Sequence, residues 1–575
     1  MKHKIMMGCV LAGGLLFASC SDFLEEDPKG KLTPGTFFSN VQEMNMAVYA
    51  LYDQVTATQA YTNMQIPQWQ GDDMTANPGS NKQAYAEFDR FRPADDNKGL
   101  VACWNQHYNL IKACNYVALN AGKTPAGESE KNIAIGQAKY WRAYSYFTLV
   151  RIWGNLPLCL DLEIDYNKKL SSVDDVYASI VKDLEDCINI LPVSYTEAPA
   201  KSFGTDLYIT KQAAQATLSA VYMAMAGYPL NKGKEYYRMA AEQAKKVIDQ
   251  NSTYGFILEP EFKNVYAPSH NYSKETIVGI SYNKLGGWGT QGSQLTSCCL
   301  FESLGGWGDS WGEIRFWKEM PDGPRKDAIY APKLLVGNKA DGKLVDWFEC
   351  KVDNDGNFVY RKDDKGNIMK DEEGDPIKET TIAEFHPMFT VFSVGAEEKT
   401  YEFGSDYADY DYTKPAGQGM INGMRHRIIR WSELLLWYAE SQARAEGAPN
   451  NMAYNCVNEV RKRAGLGKLP VGMTGDDFAN AVAKEHGWEV AGNWCALVTR
   501  RADQLRLNLL KKTFEERQGN KPVVVGEQKL SDGRVIEISA KEGVRMVDAA
   551  WNESMNYAPY PSADKAINPE LSGSK

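Results

Sequence analysis

The pentapeptide Leu285-Gly-Gly-Trp-Gly289 occurs a second time, residue for residue, as Leu304-Gly-Gly-Trp-Gly308, and Trp311, Arg315 and Trp317 follow it closely. Glycines on both sides of a tryptophan strip away neighbouring side chains and leave the indole face open. A flat, open ring stacks on the C–H face of a pyranose or furanose, while nearby Asp, Asn, Gln or Arg groups hydrogen-bond the hydroxyls. Trp288, Trp307 and Trp311, with Arg315 beside them, are therefore candidate ligand contacts. Trp69, with Asp72 and Asp73, offers the same combination in an earlier loop. The competing reading of these rings is that they anchor loops to a scaffold, and Trp317, next to Phe316, reads as core.

Other chemistries find less material. Gly287-Trp-Gly-Thr-Gln-Gly292 fits G-x-G-x-x-G, but no good helix former follows, and a tryptophan between the glycines hinders close approach to a pyrophosphate. With 6 His, one of them near the N-terminus, a histidine-based metal or nucleophilic centre is poorly supplied. The turns at Asp353-Asn-Asp-Gly, Asp364-Lys-Gly and Asp371-Glu-Glu-Gly lack the first ligand and closing Glu of a calcium loop and read as hairpins. A glycosidase needs two facing carboxylates, and 74 acidic residues supply pairs in any case, so their presence decides nothing. No catalytic residue, metal or cofactor is expected. The net charge of -10, without a basic patch of interleaved aromatics, gives no reason to expect a nucleic-acid partner.

The elements that must position the tryptophans are helical. The hub is Gln137-Ala-Lys-Tyr-Trp-Arg-Ala-Tyr-Ser-Tyr-Phe-Thr-Leu-Val-Arg-Ile-Trp-Gly154, followed by Asn-Leu-Pro157. Its aromatics wrap round every side, so it must be enclosed by other helices, and Gly154 and Pro157 end it. Arg142 and Arg151 on it read as structural. Helices are also expected over 41–56, 104–121, 173–191, 209–227, 234–250, 431–447 and 451–465. Three helix pairs share a plan: an aromatic, small-residue first helix ending in Gly (Gly154, Gly227, Gly447), then a Tyr near the start of the second (Tyr177, Tyr237, Tyr454). This resembles degenerate tetratricopeptide hairpins. The expected fold is mainly α: a helical-repeat scaffold over 41–255 and 425–575, interrupted by a loop- and strand-rich insertion over 256–424 that carries the ligand site. The three Asp-Gly turns mark a small meander and Ser531-Asp-Gly a further hairpin.

Residues 1–19 read as a signal peptide: Lys2, His3 and Lys4, then an apolar run too short to span a bilayer. The run ends Leu16-Phe-Ala-Ser-Cys20, which resembles a bacterial lipobox, making Cys20 the expected acylated N-terminus and 20–40 the tether and entry segment. Nine further cysteines are scattered, an odd number without metal spacing, so no full disulfide framework is expected, and the adjacent Cys298 and Cys299 read as two free thiols.

Five ordered blocks carry a family resemblance: Cys20-Ser-Asp-Phe-Leu-Glu-Glu-Asp-Pro with Thr33-Pro-Gly-Thr-Phe-Phe-Ser-Asn40; the hub through Pro157; Trp431-Ser-Glu-Leu-Leu-Leu-Trp-Tyr-Ala-Glu440; Asn458-Glu-Val-Arg-Lys-Arg-Ala-Gly465; and Tyr560-Pro-Ser-Ala-Asp-Lys-Ala-Ile-Asn-Pro569. In this order they are similar to the SusD/RagB family of outer-membrane nutrient-binding lipoproteins. Residues 485–500 depart from the family's Glu-Arg, Arg-Trp and Asp-Leu-x-Arg pattern, which bears on an internal salt-bridge arrangement. The resemblance implies a lipid-anchored, surface-exposed, non-enzymatic protein of the outer membrane. Such a protein captures an oligosaccharide or polysaccharide and passes it to a TonB-dependent SusC-like transporter. It carries over no sugar-binding residue. Alternatives from other classes are a surface glycoside hydrolase and a purely structural helical-repeat adaptor.

Overall fold

The computed structural model describes residues 37–283, 292–336, 342–393 and 422–572. The fold is mainly α. The long helices are α1 (Val41–Ala57), α2 (Lys98–Asn120), α3 (Glu128–Trp153), α4 (Val173–Ile190), α5 (Lys211–Ala226), α6 (Lys234–Asp249), α7 (Trp431–Glu446), α8 (Asn451–Arg463) and α9 (Gly475–Glu489). α2 begins six residues before its apolar periodicity suggests, because the Asn97 side chain caps it, accepting from the amides of Gly99 and Leu100.

Helix α3 is the expected hub. Every residue from Tyr140 to Gly154 is buried, enclosed by α1, α2 and α4. Most of its polar groups are consequently committed inward, although the Trp141 Nε1 is buried without a partner. Gln137 receives the Tyr52 hydroxyl (2.7 Å) and the Ile209 amide (2.8 Å) and donates to the Ile209 carbonyl (3.1 Å). The Arg142 guanidinium grips Asp183 through two nitrogens (2.8 and 2.7 Å) and donates a third bond to Asn115 Oδ1 (2.9 Å). Arg151 donates to the carbonyls of Phe147 and Leu497 (2.7 and 2.8 Å), and Trp153 Nε1 to that of Pro559 (2.8 Å). One helix thus collects segments from residue 52 to residue 559.

The helix pairs form as expected. α4 follows the hub, α5 packs on α4 and α6, and α7 joins α6, α8 and α9. Gly447 takes φ +77°, the left-handed turn that ends α7. The marker tyrosines bridge layers: Tyr177 meets Phe147 edge-on, Tyr454 meets Phe478, and Tyr237 lies under the Arg444 guanidinium. Although 485–500 departs from the family pattern, α9 carries a buried ion cluster. Glu485 binds Arg325 (2.7 Å) and Arg461 (2.7 Å), and Glu489 binds Arg430 (2.8 Å), Arg325 (3.0 Å) and Arg463. Burial pushes the Glu489 carboxyl up, but Arg463, Arg430 and Arg325 outweigh it and hold it at about 2.

Strands are short. β1 (Thr276–Ile280) pairs antiparallel with β4 (His426–Arg430), and the hairpins β2 (Leu334–Val336)/β3 (Lys343–Val345) and β5 (Val523–Lys529)/β6 (Val535–Ala540) complete the set used below. The three Asp-Gly turns are hairpins closed by bridges Val352–Phe358, Lys362–Ile368 and Lys370–Pro376. In each, the aspartate Oδ1 accepts backbone amides two and four residues on. Much of the insertion shares a second hydrophobic core with the C-terminal hairpin, where Phe301, Trp311, Leu334, Trp347, Val525 and Ile538 meet. All nine cysteines among the described residues are free thiols.

The 61–75 loop locks this second core to the helices. Trp69 is 0% exposed and donates from Nε1 to the Asp309 carbonyl (3.0 Å). Asp72 holds Arg500 in a bidentate pair (2.6 and 2.9 Å). Asp73 Oδ2 accepts the Gly492 amide (2.8 Å), whereas its buried Oδ1 has no partner. Met74 and Thr75 then pair antiparallel with Gly312 and Trp311.

Two stability predictions follow from these buried charges. Asp183→Ala leaves the Arg142 guanidinium buried without its carboxylate and should cost about 3–5 kcal/mol; urea unfolding measures it, and a loss under 1 kcal/mol would contradict the pairing. Burial raises the Asp73 carboxyl from 3.8 to about 7. Its contribution is therefore fully present below pH 3.8 and is lost as pH rises through 7. Asp73→Asn should accordingly gain on the wild type between pH 4 and 7.5 in thermal melts, and a pH-independent difference would refute the assignment.

Candidate functional site

The second Leu-Gly-Gly-Trp-Gly copy forms a tight turn folded back on the short helix Leu295–Cys299. Gly305 and Gly308 take φ +89° and +58°, and a Cβ on Gly306 would lie 2.0 Å from the Leu300 carbonyl oxygen. The glycines are thus required by the path of the backbone itself, and the Trp307 they frame packs against both hydrophobic cores. The Trp307 amide donates to Ser297 (2.7 Å), Gly308 to Leu300 (2.8 Å) and Asp309 to Cys298 (2.8 Å), which fixes the turn. On it the Trp307 ring is half-buried, with Tyr61 edge-on to it at 5.7 Å between centroids. Burial, reinforced by Asp309, pushes the Tyr61 hydroxyl up to about 12, so it stays a neutral donor and acceptor at physiological pH. Together the two side chains present an aromatic corner with a hydroxyl.

Glu302 begins this turn, and its side chain approaches Gly308, the residue after Trp307. It also lines the rim of a groove of about 820 Å³ between the three-hairpin meander and the β5–β6 hairpin. Trp311 and Phe385 give this groove aromatic wall, while Asp371, Lys541 and Asn77 supply polar groups. Lys541 is held by Asp371 (3.1 Å) and Asp375. His386 lies against the Trp311 ring at 4.9 Å, with Nδ1 2.8 Å from the Glu384 carbonyl oxygen and Nε2 3.3 Å from the Gly543 amide. Mixed carboxylates, amides, a lysine and ring edges suit a polyhydroxylated ligand, which both gives and takes hydrogen bonds and has apolar C–H faces.

The structure divides the residues singled out from sequence. Trp307 lies at the corner with Tyr61, and Trp311 lines the groove, although it is only 5% exposed and its Nε1 is buried without a partner. Trp69 and Asp73 are core groups, and Asp72 is spent on Arg500. Arg315 lies with Asp72, Trp488 and Arg517 on a separate cleft of about 170 Å³ and donates to the Lys521 carbonyl at 3.4 Å. Trp288 and Cys20 lie outside the described residues, as does most of the G-x-G-x-x-G stretch. Sequence reasoning missed Tyr61 and Glu302. Tyr61 was recoverable in principle: the nine-residue 3₁₀ stretch Thr62–Gln70 turns Trp69 inward and leaves Tyr61 at its mouth. Nothing local marks Glu302 among the many acids.

No helix among the described residues is long and apolar enough to cross a membrane. Two family models match the chain: one described as "Starch-binding associating with outer membrane" over residues 22–223, and one described as "SusD family" over residues 397–572. SusD-like protein P2 of Formosa agariphila is 24% identical over 521 residues, covering 85% of this chain and 88% of that protein. A crystal structure with a xylogluco-oligosaccharide superposes with a TM-score of 0.66 at 19% identity, covering 92% of this chain and 98% of the other. A laminarin-binding SusD-like protein gives a TM-score of 0.63 at 18% identity, with the same coverage of 92% and 98%. The five ordered blocks, the hub-centred helical scaffold and these matches at both ends of the chain agree: the protein belongs to the SusD/RagB family, which is associated with the outer membrane.

Proposed function

We propose that the protein is a non-enzymatic glycan-binding lipoprotein that captures an oligosaccharide or polysaccharide at the cell surface. The observation that carries this reading is the half-buried Trp307, held by a glycine turn beside Tyr61, with Glu302 of the same turn on the rim of the large groove. One sugar ring stacks on Trp307 with the Tyr61 hydroxyl as hydrogen-bond partner, and the chain continues over Glu302 into the groove. The 256–424 insertion supplies Trp307, Glu302 and one wall of the groove, and Tyr61, Asn77 and the β5–β6 hairpin complete the site from the flanking segments. Relatives solved with a xylogluco-oligosaccharide, or described as laminarin-binding, support the ligand class. Cys20 is the acylated anchor, and a TonB-dependent SusC-like transporter receives the glycan. An open, wet corner of this kind gives modest affinity, because solvent competes for every hydroxyl contact.

Calorimetry of the purified chain against a glycan panel identifies the ligand and tests the reading. Removal of a stacking ring costs about 1–2 kcal/mol, so Trp307→Ala should weaken binding by about tenfold or more, and Tyr61→Phe by less. Trp307→Ala with undiminished affinity would place the site elsewhere. The bound glycan should be recovered uncut after prolonged incubation; shorter products would reveal a hydrolase.

A further inference from the structure

Beside the aromatic wall of the groove lies a titratable pair that the reading above does not use. His386 is 2% exposed, and its ring lies against Trp311. Its Nδ1 is 2.8 Å from the Glu384 carbonyl oxygen, which can only accept, so Nδ1 carries a proton in either charge state of the ring. Nε2 is then left with two neighbours of opposite demand. The Gly543 amide donates to it at 3.3 Å, whereas Glu542 Oε2, also 3.3 Å away, is an acceptor. A bare Nε2 serves Gly543 and leaves that buried carboxylate oxygen without a hydrogen bond. A protonated Nε2 serves Glu542 and leaves the amide without an acceptor. One nitrogen cannot do both.

The neighbours are fixed, so the ring is the part that moves. Asn520 brackets residue 542, accepting from its amide (3.1 Å) and donating to its carbonyl (3.0 Å), and Glu542 Oε1 accepts the Ile314 amide (2.7 Å). Among the described residues, Glu313 and Arg517 are the other charged groups acting on this pair, and Arg517 binds Asp89 (2.6 Å). Burial pushes the Glu542 carboxyl up, but His386 and Arg517 outweigh it and hold it below the usual range, so it stays ionised. Glu313, raised by burial and by Glu542, keeps its proton. Glu384 spends its carboxylate on the Ser303 amide and hydroxyl (2.9 and 2.5 Å), and Lys541 is turned to Asp371 and Asp375.

We propose that His386 is a positioning residue of the glycan groove, moved by its own proton between the Gly543 backbone and the Glu542 carboxylate. The inference rests on the reading of the groove as part of the glycan site. With Nε2 protonated the ring draws toward Glu542, and the N–H of Gly543, a residue that lines the groove, is released as a donor for a sugar hydroxyl. With Nε2 bare, the imidazole takes that donor back. A sugar hydroxyl does not titrate in this range, so the pH dependence belongs to the protein. Glycan affinity therefore rises as pH falls.

Two measurements test this. Histidine ring-nitrogen NMR of the purified protein, with the 386 signal assigned by its loss in His386→Gln, follows the ring from about pH 8 to about pH 5, the span over which imidazoles change charge. The expected result is an Nδ1–H tautomer at the upper end and a second proton arriving on Nε2 as pH falls. An Nε2–H tautomer, or a ring of constant charge throughout, would overturn the proposal whatever the glycan does. Calorimetry with laminarin and with a xylogluco-oligosaccharide then compares the same two limits. The wild type should bind about fivefold tighter at the lower pH, the weight of one hydrogen bond. Glu542→Gln keeps an acceptor for Ile314 but offers Nε2 an amide N–H, which holds it bare, so affinity should stay near the wild type's upper-pH value throughout. A variant that binds more weakly at every pH yet keeps the wild-type profile would show a merely structural role and overturn the proposal. If the ring titrates and neither glycan binds at any pH, the coupling falls together with the glycan reading of the groove, and the proton switch alone stands.

Discussion

Helix α3 imposes the constraint on which the remaining structure depends. A helix buried on every side from Tyr140 to Gly154 can keep polar side chains only if each finds a partner in the interior. Gln137, Arg142 and Arg151 meet this requirement by reaching groups far away in sequence: Tyr52, Ile209, Asp183, Asn115 and Leu497. Each contact fixes the position of another segment, so the interior demand for hydrogen bonds doubles as an assembly instruction. The Asn115 bond carries that order outward, from Arg142 through α2 to the base of the 158–169 loop.

A second layer is built on this one by the same means. The 61–75 loop is pinned through Trp69, Asp72 and Asp73 to Asp309, Arg500 and Gly492, and it aligns the short ladder that sets Trp311. Glycine geometry at 305, 306 and 308 then holds the half-buried Trp307 beside Tyr61. The polar groups that looked most like ligand contacts in the sequence are the ones that hold this layer in place. Their burial and partners leave the neighbouring aromatic corner and groove to meet solvent.

Much of the fold is legible in the sequence. The all-round aromatic pattern of 137–154 demanded enclosure, the Gly-ended helix pairs gave the repeat, and the Asp-Gly spacing gave the meander. These rest on local periodicity and backbone preference, which neighbouring residues carry in full. The ion cluster of α9 was not legible, because Arg325, Arg430 and Arg463 reach Glu489 from distant segments and no spacing encodes the meeting.

The same division holds at the site. By itself the sequence determined the family, the mainly α scaffold and the glycine-framed tryptophan turn, since ordered blocks, period and glycine spacing are properties of contiguous residues. Only the tertiary structure decided that Trp69 faces Asp309 within the core while Trp307 stays half-buried against Tyr61 at the core's edge. The two rings have the same chemistry and similar polar neighbours. What separates them is the side of the packed layer on which each falls, and that depends on contacts across 240 residues rather than on either local sequence.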